Sequence, residues 1–316
     1  MNDTKNIKIL TVLRSTRGST YSSGYFLHVL NEIKALGTNI QVISQEEYLM
    51  IGQNDYNVLV YNSFPDETHP RKFDKGLIEK CDEKFNSFKG TKILLDTHDN
   101  GTKDGFARFD DFLFPRIKVN PSYEMIKKMN LVMMIPFVTF SVYRRPQKER
   151  PFKIVCAMRT DLPDMPNMPH LPYVRQIRQL TFQRLKRFNP DNRWLPLKEH
   201  ARRLCQTLIN VVANGTVYSV RTYADTLAAG ALMMAEENIK NIKILPFADL
   251  EDGVDYIPYN LDNVCEKLDF LLANPELINK IRMSGLNKFI TGYDYARSAR
   301  QLLDWLEKNK SNLLCT

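Results

Sequence analysis

NGTVYSVRTYADTLAAGALMMAEE, Asn214 to Glu237, is the stretch on which the fold assignment turns. A loop of small and polar residues leads to Arg221, an acid follows at Asp225, and a tight Ala-Ala-Gly precedes an apolar run. That order predicts a helix from Thr222 to Ala229 and a strand from Ala231 to Ala235. Helix N-termini carry unpaired N–H groups and a partial positive charge, so a diphosphate can sit there. Arg221 adds a bidentate charged donor, and Thr216 and Ser219 stand in the loop before it. Asp225 lies about one turn further along the same face, where a carboxylate can accept from both hydroxyls of a ribose. Together these residues suit a nucleoside diphosphate. The plainer alternative is an i,i+4 ion pair between Arg221 and Asp225 on a surface helix.

Working outward, the same alternation of strand and helix extends in both directions. Toward the C-terminus a strand is expected at Asp255–Ile257, then helices at Leu261–Leu272 and Pro275–Thr291. A last amphipathic helix, Tyr295–Lys308, carries Leu302, Leu303 and Leu306 on one side. Toward the N-terminus, Phe152–Ala157 reads as a strand, Arg175–Phe188 and Leu197–Asn210 as helices, and Val211–Val212 as apolar residues before the turn. The first half opens with a buried strand, Ile7–Leu13, a polar loop RSTRGSTYSSG, a helix Tyr25–Leu36 at apolar 3.6 spacing, Gly37 as its C-cap, and a strand Ile40–Ile43. Strand, helix, strand in that order is the βαβ unit of a parallel sheet. Further strands are expected at Val58–Tyr61, Ile93–Leu95 and Val132–Ile135, with a helix at Lys75–Phe88. The polar, basic SVYRRPQKER, Ser141–Arg150, marks a boundary. The division is residues 1–145, residues 146–294, and a C-terminal helix and tail at 295–316. No internal repeat or low-complexity segment interrupts it.

Composition bounds what such a chain can do. At roughly 150 residues per domain, 316 residues suit two domains, each able to bury a core. Hydrophobic residues at 43% and charged ones at 25% exclude a disordered or fibrous chain. A net charge of +8 points to anionic partners, and 15 basic against 5 acidic residues between Ser141 and Arg203 concentrate it. That segment reads either as solvated helix faces with a few phosphate ligands or as a surface facing a polyanion. Five widely spaced cysteines without a CxxC pair suit reduced thiols in a cytosol-like compartment. The N-terminus lacks a signal-peptide pattern, and the longest apolar run, Leu131–Phe140, is about half a membrane span. A cytoplasmic protein without a transmembrane segment is the expectation.

VRTYADTLAAGALMM, the following DGVDYIPYN loop and the amphipathic last helix resemble the C-terminal half of glycosyltransferases with the two-Rossmann GT-B fold. The group 1 enzymes and their spore-maturation-type relatives are the nearest likeness, and the lipopolysaccharide-modifying glucosyltransferase-like family is also similar. The resemblance covers roughly residues 211–305; the first half is similar by topology alone. It implies an α/β architecture of two Rossmann-like domains facing a cleft, with the last helix crossing back to the first domain. In such families an acid in an E-A-x-A-x-G helix holds the donor's ribose. Asp225 of DTLAAG occupies that place with a side chain one methylene shorter.

Three more places match the family's logic. The loop after the first strand lies at its carboxyl end, where ligands bind in open α/β sheets. Its Gly18 and Ser19 suit close approach to an acceptor or a phosphate, with Arg14 and Arg17 as countercharges. The strand ILLD runs into THDN, similar to a strand-then-HD segment that presents a histidine to the donor sugar in group 1 enzymes. His98 is the candidate sugar contact, and Asp96 or Asp99 the candidate base or imidazole-orienting carboxylate. Arg159 follows the strand KIVCAM, where related enzymes place a cation against the leaving diphosphate. The remaining four histidines show no metal-ligand spacing with His98, so no metal is expected.

The resemblance implies a hexosyl- or pentosyltransferase using a UDP- or GDP-linked sugar as substrate, with no further cofactor. The acceptor is a glycan, a lipid-linked or small-molecule hydroxyl, or a hydroxymethylated base in DNA, for which the basic segment would supply phosphate contacts. A non-catalytic nucleic-acid-binding protein of the same fold is the alternative from another class. Sugar, base, stereochemical outcome and oligomeric state are not specified by these residues.

Overall fold

A computed structural model describes residues 7–13, 23–62, 74–96, 114–135, 143–158, 171–193, 195–213 and 221–309, apart from the side chains of 23–25, 171 and 221. The chain divides into two compact units, Met1–Ile135 with Asp294–Thr316, and Pro136–Tyr293.

In the first unit the described elements are β1 (Lys8–Leu13), α1 (Ser23–Ala35), β2 (Asn39–Ser44), α2 (Gln45–Met50), β3 (Val58–Tyr61), α3 (Lys75–Ser87), β4 (Thr91–Asp96), β5 (Arg116–Val119), α4 (Tyr123–Lys128) and β6 (Leu131–Ile135). The strands form one parallel sheet in the order β2-β1-β3-β4-β5-β6. KILTVL and VLVY are apolar almost throughout because helices cover both faces of such a sheet. Gly37, at φ +90, ends α1 as a left-handed cap, with the Thr38 N–H reaching back to the Ile33 carbonyl. On one face of the sheet, Leu10, Val12, Leu59, Tyr61 and Leu94 pack with Tyr48, Cys81 and Phe85. α10 (Tyr295–Lys308) belongs to this unit. Asp294 caps its N-terminus, His28 of α1 stacks on Tyr295 at 5.0 Å, and the Gln301 amide donates to the Val132 carbonyl at 3.1 Å.

The second unit contains β7 (Phe152–Val155), α5 (Leu171–Leu185), α6 (Leu197–Cys205), β8 (Thr207–Val212), α7 (Arg221–Ala228), β9 (Leu232–Glu236), β10 (Ile257–Tyr259), α8 (Val264–Ala273) and α9 (Pro275–Gly292). Its strands are parallel in the order β10-β9-β8-β7. Ile209, Val211, Leu232 and Met234 form a core with Leu185, Leu268 and Ile281. Both units are Rossmann-like α/β layers, and the last helix returns to the first.

Some elements differ from the sequence expectation for identifiable reasons. The expected helix Leu197–Asn210 is a helix only to Cys205, and a strand begins at Thr207. The Thr207 hydroxyl donates to the Arg203 carbonyl at 2.8 Å, and the β-branched TLINVV then pairs with strands on both sides. No glycine or proline separates the two, so their apolar patterns run together. α2 is opened by a capping box in which Ser44 and Glu47 each accept from the other's backbone N–H. β5 is RIKV, whose charged residues Arg116 and Lys118 are nonetheless fully buried.

Candidate functional site

In open α/β sheets ligands bind beyond the carboxyl ends of the strands, at the point where the strand order reverses. In the first unit the chain goes from β1 to β2 on one side and then to β3 on the other, so the reversal lies between β1 and β3. In the second unit Asp191 forms a one-residue parallel bridge with Val155. The Asp191 N–H donates to the Ile154 carbonyl and its carbonyl accepts from the Cys156 N–H, both at 3.0 Å. Val155 is paired with Asn210 of β8 as well, so Asp191 lies along the opposite edge of β7. The full order is therefore Asp191-β7-β8-β9-β10, and the reversal lies between β7 and β8. Both units repeat one topology.

Most of the sequence candidates fall on the segments that leave these strand ends. Arg14, Arg17, Gly18 and Ser19 follow β1; His98 and Asp99 follow β4; Arg159 follows β7; Thr216 and Ser219 follow β8. All nine lie outside the described residues. Asp96, Asp225 and the backbone of Arg221 lie within them.

The end of β8 is held from two elements. The Ala213 N–H donates to Met158 Sδ at 2.9 Å, and its carbonyl accepts from Nε of Arg178, on α5, at 3.3 Å. Arg178 entered the sequence reading only as one charge among many, because a bond to a strand end has no local signature. α7 then starts at Arg221 and is anchored along its length and at its far end. The Asn210 amide donates to the Thr226 hydroxyl at 2.7 Å, and that hydroxyl donates to the Thr222 carbonyl. Past the helix, Arg150 donates to the carbonyls of Thr207 and Ala229, and Arg282 to that of Gly230. Gly230 has φ +66, and a Cβ there would lie 3.1 Å from both Arg150 Nη2 and Pro146 Cβ. Burial, and then the nearby charge of Arg282, pull the Arg150 guanidinium down to about 10. Cations at a helix C-terminus oppose its negative end, which fixes α7 and leaves the positive N-terminal end at Arg221. Asp225 is 1% exposed, so it is no part of a solvated ion pair.

In the first unit Asp96 is the last residue of β4. Its carboxylate meets Lys118 Nζ at 3.0 Å, with both side chains 0% exposed. Asn62, just past β3, is also buried, and its amide donates to the Leu95 carbonyl at 2.7 Å.

Part of the basic segment is committed to the fold. Arg144 stands over the rings of Tyr293 and Phe289 at 4.6 and 5.5 Å. Arg187 pairs with Asp269. Arg203, 2% exposed, donates to Asp191 at 2.9 Å, and Arg193 to the same carboxylate at 2.7 Å. Hydrogen bonding from Arg193, reinforced by the charge of Arg203, lowers the Asp191 carboxyl to about 2. Arg145, Lys148, Lys153, Arg184, Lys186, Lys198 and Arg202 remain exposed. Among the described residues no group of three or more His, Cys, Asp or Glu could hold a metal ion, and no helix is long and apolar enough to cross a membrane.

The sequence model of one family, described as glycosyl transferase-like, matches residues 144–304. No curated protein matches the chain in sequence. Solved structures are similar over nearly its whole length. A glycosyltransferase from Rickettsia africae shares 11% identity over 98% of this chain and 100% of its own, with a TM-score of 0.60. Sucrose-phosphate synthase from Thermosynechococcus elongatus shares 10% over 96% and 99%, with a TM-score of 0.62. An alpha-glucosyltransferase in complex with UDP-glucose and DNA containing an abasic site shares 10% over 95% and 99%, with a TM-score of 0.56. At such identities the likeness is one of fold, the GT-B arrangement of two Rossmann-like units.

Proposed function

Because the chain belongs to the glycosyl transferase-like family, we propose that it moves a sugar from a UDP- or GDP-linked donor to a hydroxyl acceptor without using a metal ion. The observation that carries this reading is α7, tied down at its C-terminal end by Arg150 and Arg282 and starting at Arg221 beyond the strand-order reversal of its sheet. The donor diphosphate sits on that N-terminus with Arg221, Thr216 and Ser219, and Asp225 takes the ribose hydroxyls. As the bond from the sugar's anomeric carbon to the diphosphate breaks, its electron pair leaves with the phosphate oxygen. Arg159, Arg221 and the helix N-terminus offset that charge. The acceptor hydroxyl, held by the first unit near Arg14, Arg17, Gly18 and Ser19, attacks the anomeric carbon and gives its proton to Asp99. His98 contacts the sugar. Membership of the spore-maturation-type branch rests on the sequence pattern of residues 211–305.

Hydrolysis or transfer measured over a panel of UDP- and GDP-sugars tests this function. Turnover of at least one donor is expected, and none with any donor would overturn it. Donor hydrolysis would also dismiss the non-catalytic, nucleic-acid-binding alternative.

A hydroxymethylated base in DNA is the second acceptor reading. Its support is the cations left exposed in the basic segment, together with a structural neighbour solved with UDP-glucose and DNA. Duplex binding that weakens by about tenfold or more between low and moderate salt would favour it, and salt-insensitive binding would reject it.

A further inference from the structure

β4 projects beyond its neighbour. It pairs with β3 from Thr91 to Leu94, so Leu95 and Asp96 extend past that ladder. On the other side they pair with β5, Leu95 opposite Ile117 and Asp96 opposite Lys118. On the β3 side a side chain stands in for the missing ladder, and on the β5 side an ion pair reinforces the last rung. The Asn62 amide takes the Leu95 carbonyl at 2.7 Å, and the Lys118 ammonium takes the Asp96 carboxylate at 3.0 Å, out of contact with solvent. Arg116, two residues before Lys118 on the same face of β5, is fully buried as well.

Stability alone does not account for this pair. Removing a carboxylate and an ammonium from water costs several kcal/mol for each ion, and apolar residues of similar volume in place of a buried pair are often neutral or stabilising. The pair does supply a directional tie across the last rung of the β4–β5 ladder, beyond the point where the ladder to β3 has ended. The next residues are Thr97, His98 and Asp99. We propose that Lys118 and Asp96 are positioning residues: they fix the strand end from which His98 departs, and Asp96 remains an ion-paired carboxylate that takes no proton from the acceptor. The inference rests on the proposed role of His98 at the sugar.

The test replaces both charges, Asp96→Leu with Lys118→Met, so that neither member of the pair is left buried without the other. Melting temperature, the imidazole titration of His98 by NMR, nucleotide affinity and the pH profile of kcat are read together. The expected result is an unchanged or higher melting temperature, a displaced His98 titration, nucleotide affinity within about twofold, and kcat down by about tenfold or more at every pH. Lys118→Arg, which keeps the pair, is expected to restore the His98 titration. An unchanged His98 titration would overturn the proposal, as would selective loss of the acidic limb of the pH profile, the mark of Asp96 acting as the base. Should the double variant not fold, Asn62→Leu probes the same strand end, and an unmoved His98 titration there would be equally fatal. The His98 titration needs no turnover, so it remains decisive even if the chain transfers no sugar, and nucleotide affinity separately reports on the donor site.

Discussion

The two units solve one problem differently. In the first, the outer edge of β1 is covered by β2, with six residues in register against six. In the second, among the described residues, the corresponding edge of β7 is covered by Asp191 alone, whose carboxylate is gripped by Arg193 and Arg203. A strand long enough to build a ladder needs no particular side chain at any one position. A one-residue bridge does, and the ion pairs supply the rigidity that the absent ladder would have given. The difference also accounts for two cations of the second unit, Arg193 and Arg203, converging on one carboxylate.

The largest expected effects follow from that contrast. Asp191→Ala leaves the buried guanidinium of Arg203 without its carboxylate and should cost about 3 kcal/mol in denaturant unfolding. Asn39→Ala, on the exposed side of β2, should stay within about 0.5 kcal/mol. Equal costs would mean that the two edges are not held differently.

The glycines that follow α1 and α7 sharpen the comparison. Gly37 has open space where a Cβ would go, so Gly37→Ala should cost only the left-handed backbone penalty, about 1 kcal/mol. Gly230→Ala adds a collision with Arg150 and Pro146 and should cost about 2 kcal/mol or more. A smaller loss at Gly230 than at Gly37 would show that the Arg150 anchor yields readily.

The mildest probe is acid. The Asp191 carboxyl is lowered from 3.8 to about 2, so its contribution is complete above the unfolded value and disappears as pH falls from about 4 through about 2. Stability measured across that window should fall less steeply in Asp191→Asn than in the parent. Parallel curves would remove the carboxylate from the account.

How far the sequence discloses this molecule depends on where each signal resides. KILTVL, VLVY and the Leu302, Leu303 and Leu306 face of α10 are legible because burial on a regular period is a local property. RIKV is not, since the burial of Arg116 and Lys118 depends on partners elsewhere in the chain. Asp191 is invisible as a strand because a single residue has no periodicity. The Ser44–Glu47 capping box does carry a local signal for α2, one that apolar spacing alone overlooks. For the site, Arg221 and Asp225 are legible because loop, helix start and acid are consecutive in sequence. Arg178 on Ala213, Arg150 on Ala229 and Lys118 on Asp96 are tertiary contacts, and sequence registers them only as charge.

Nucleotide-dependent thermal stabilisation tests the central claim most directly. UDP or GDP at about a hundredfold excess over Kd should raise the melting temperature of the parent chain by about 5–10 °C, and Arg221→Ala and Asp225→Ala should each abolish that rise. A full rise retained in both variants would contradict the assignment of the donor to α7.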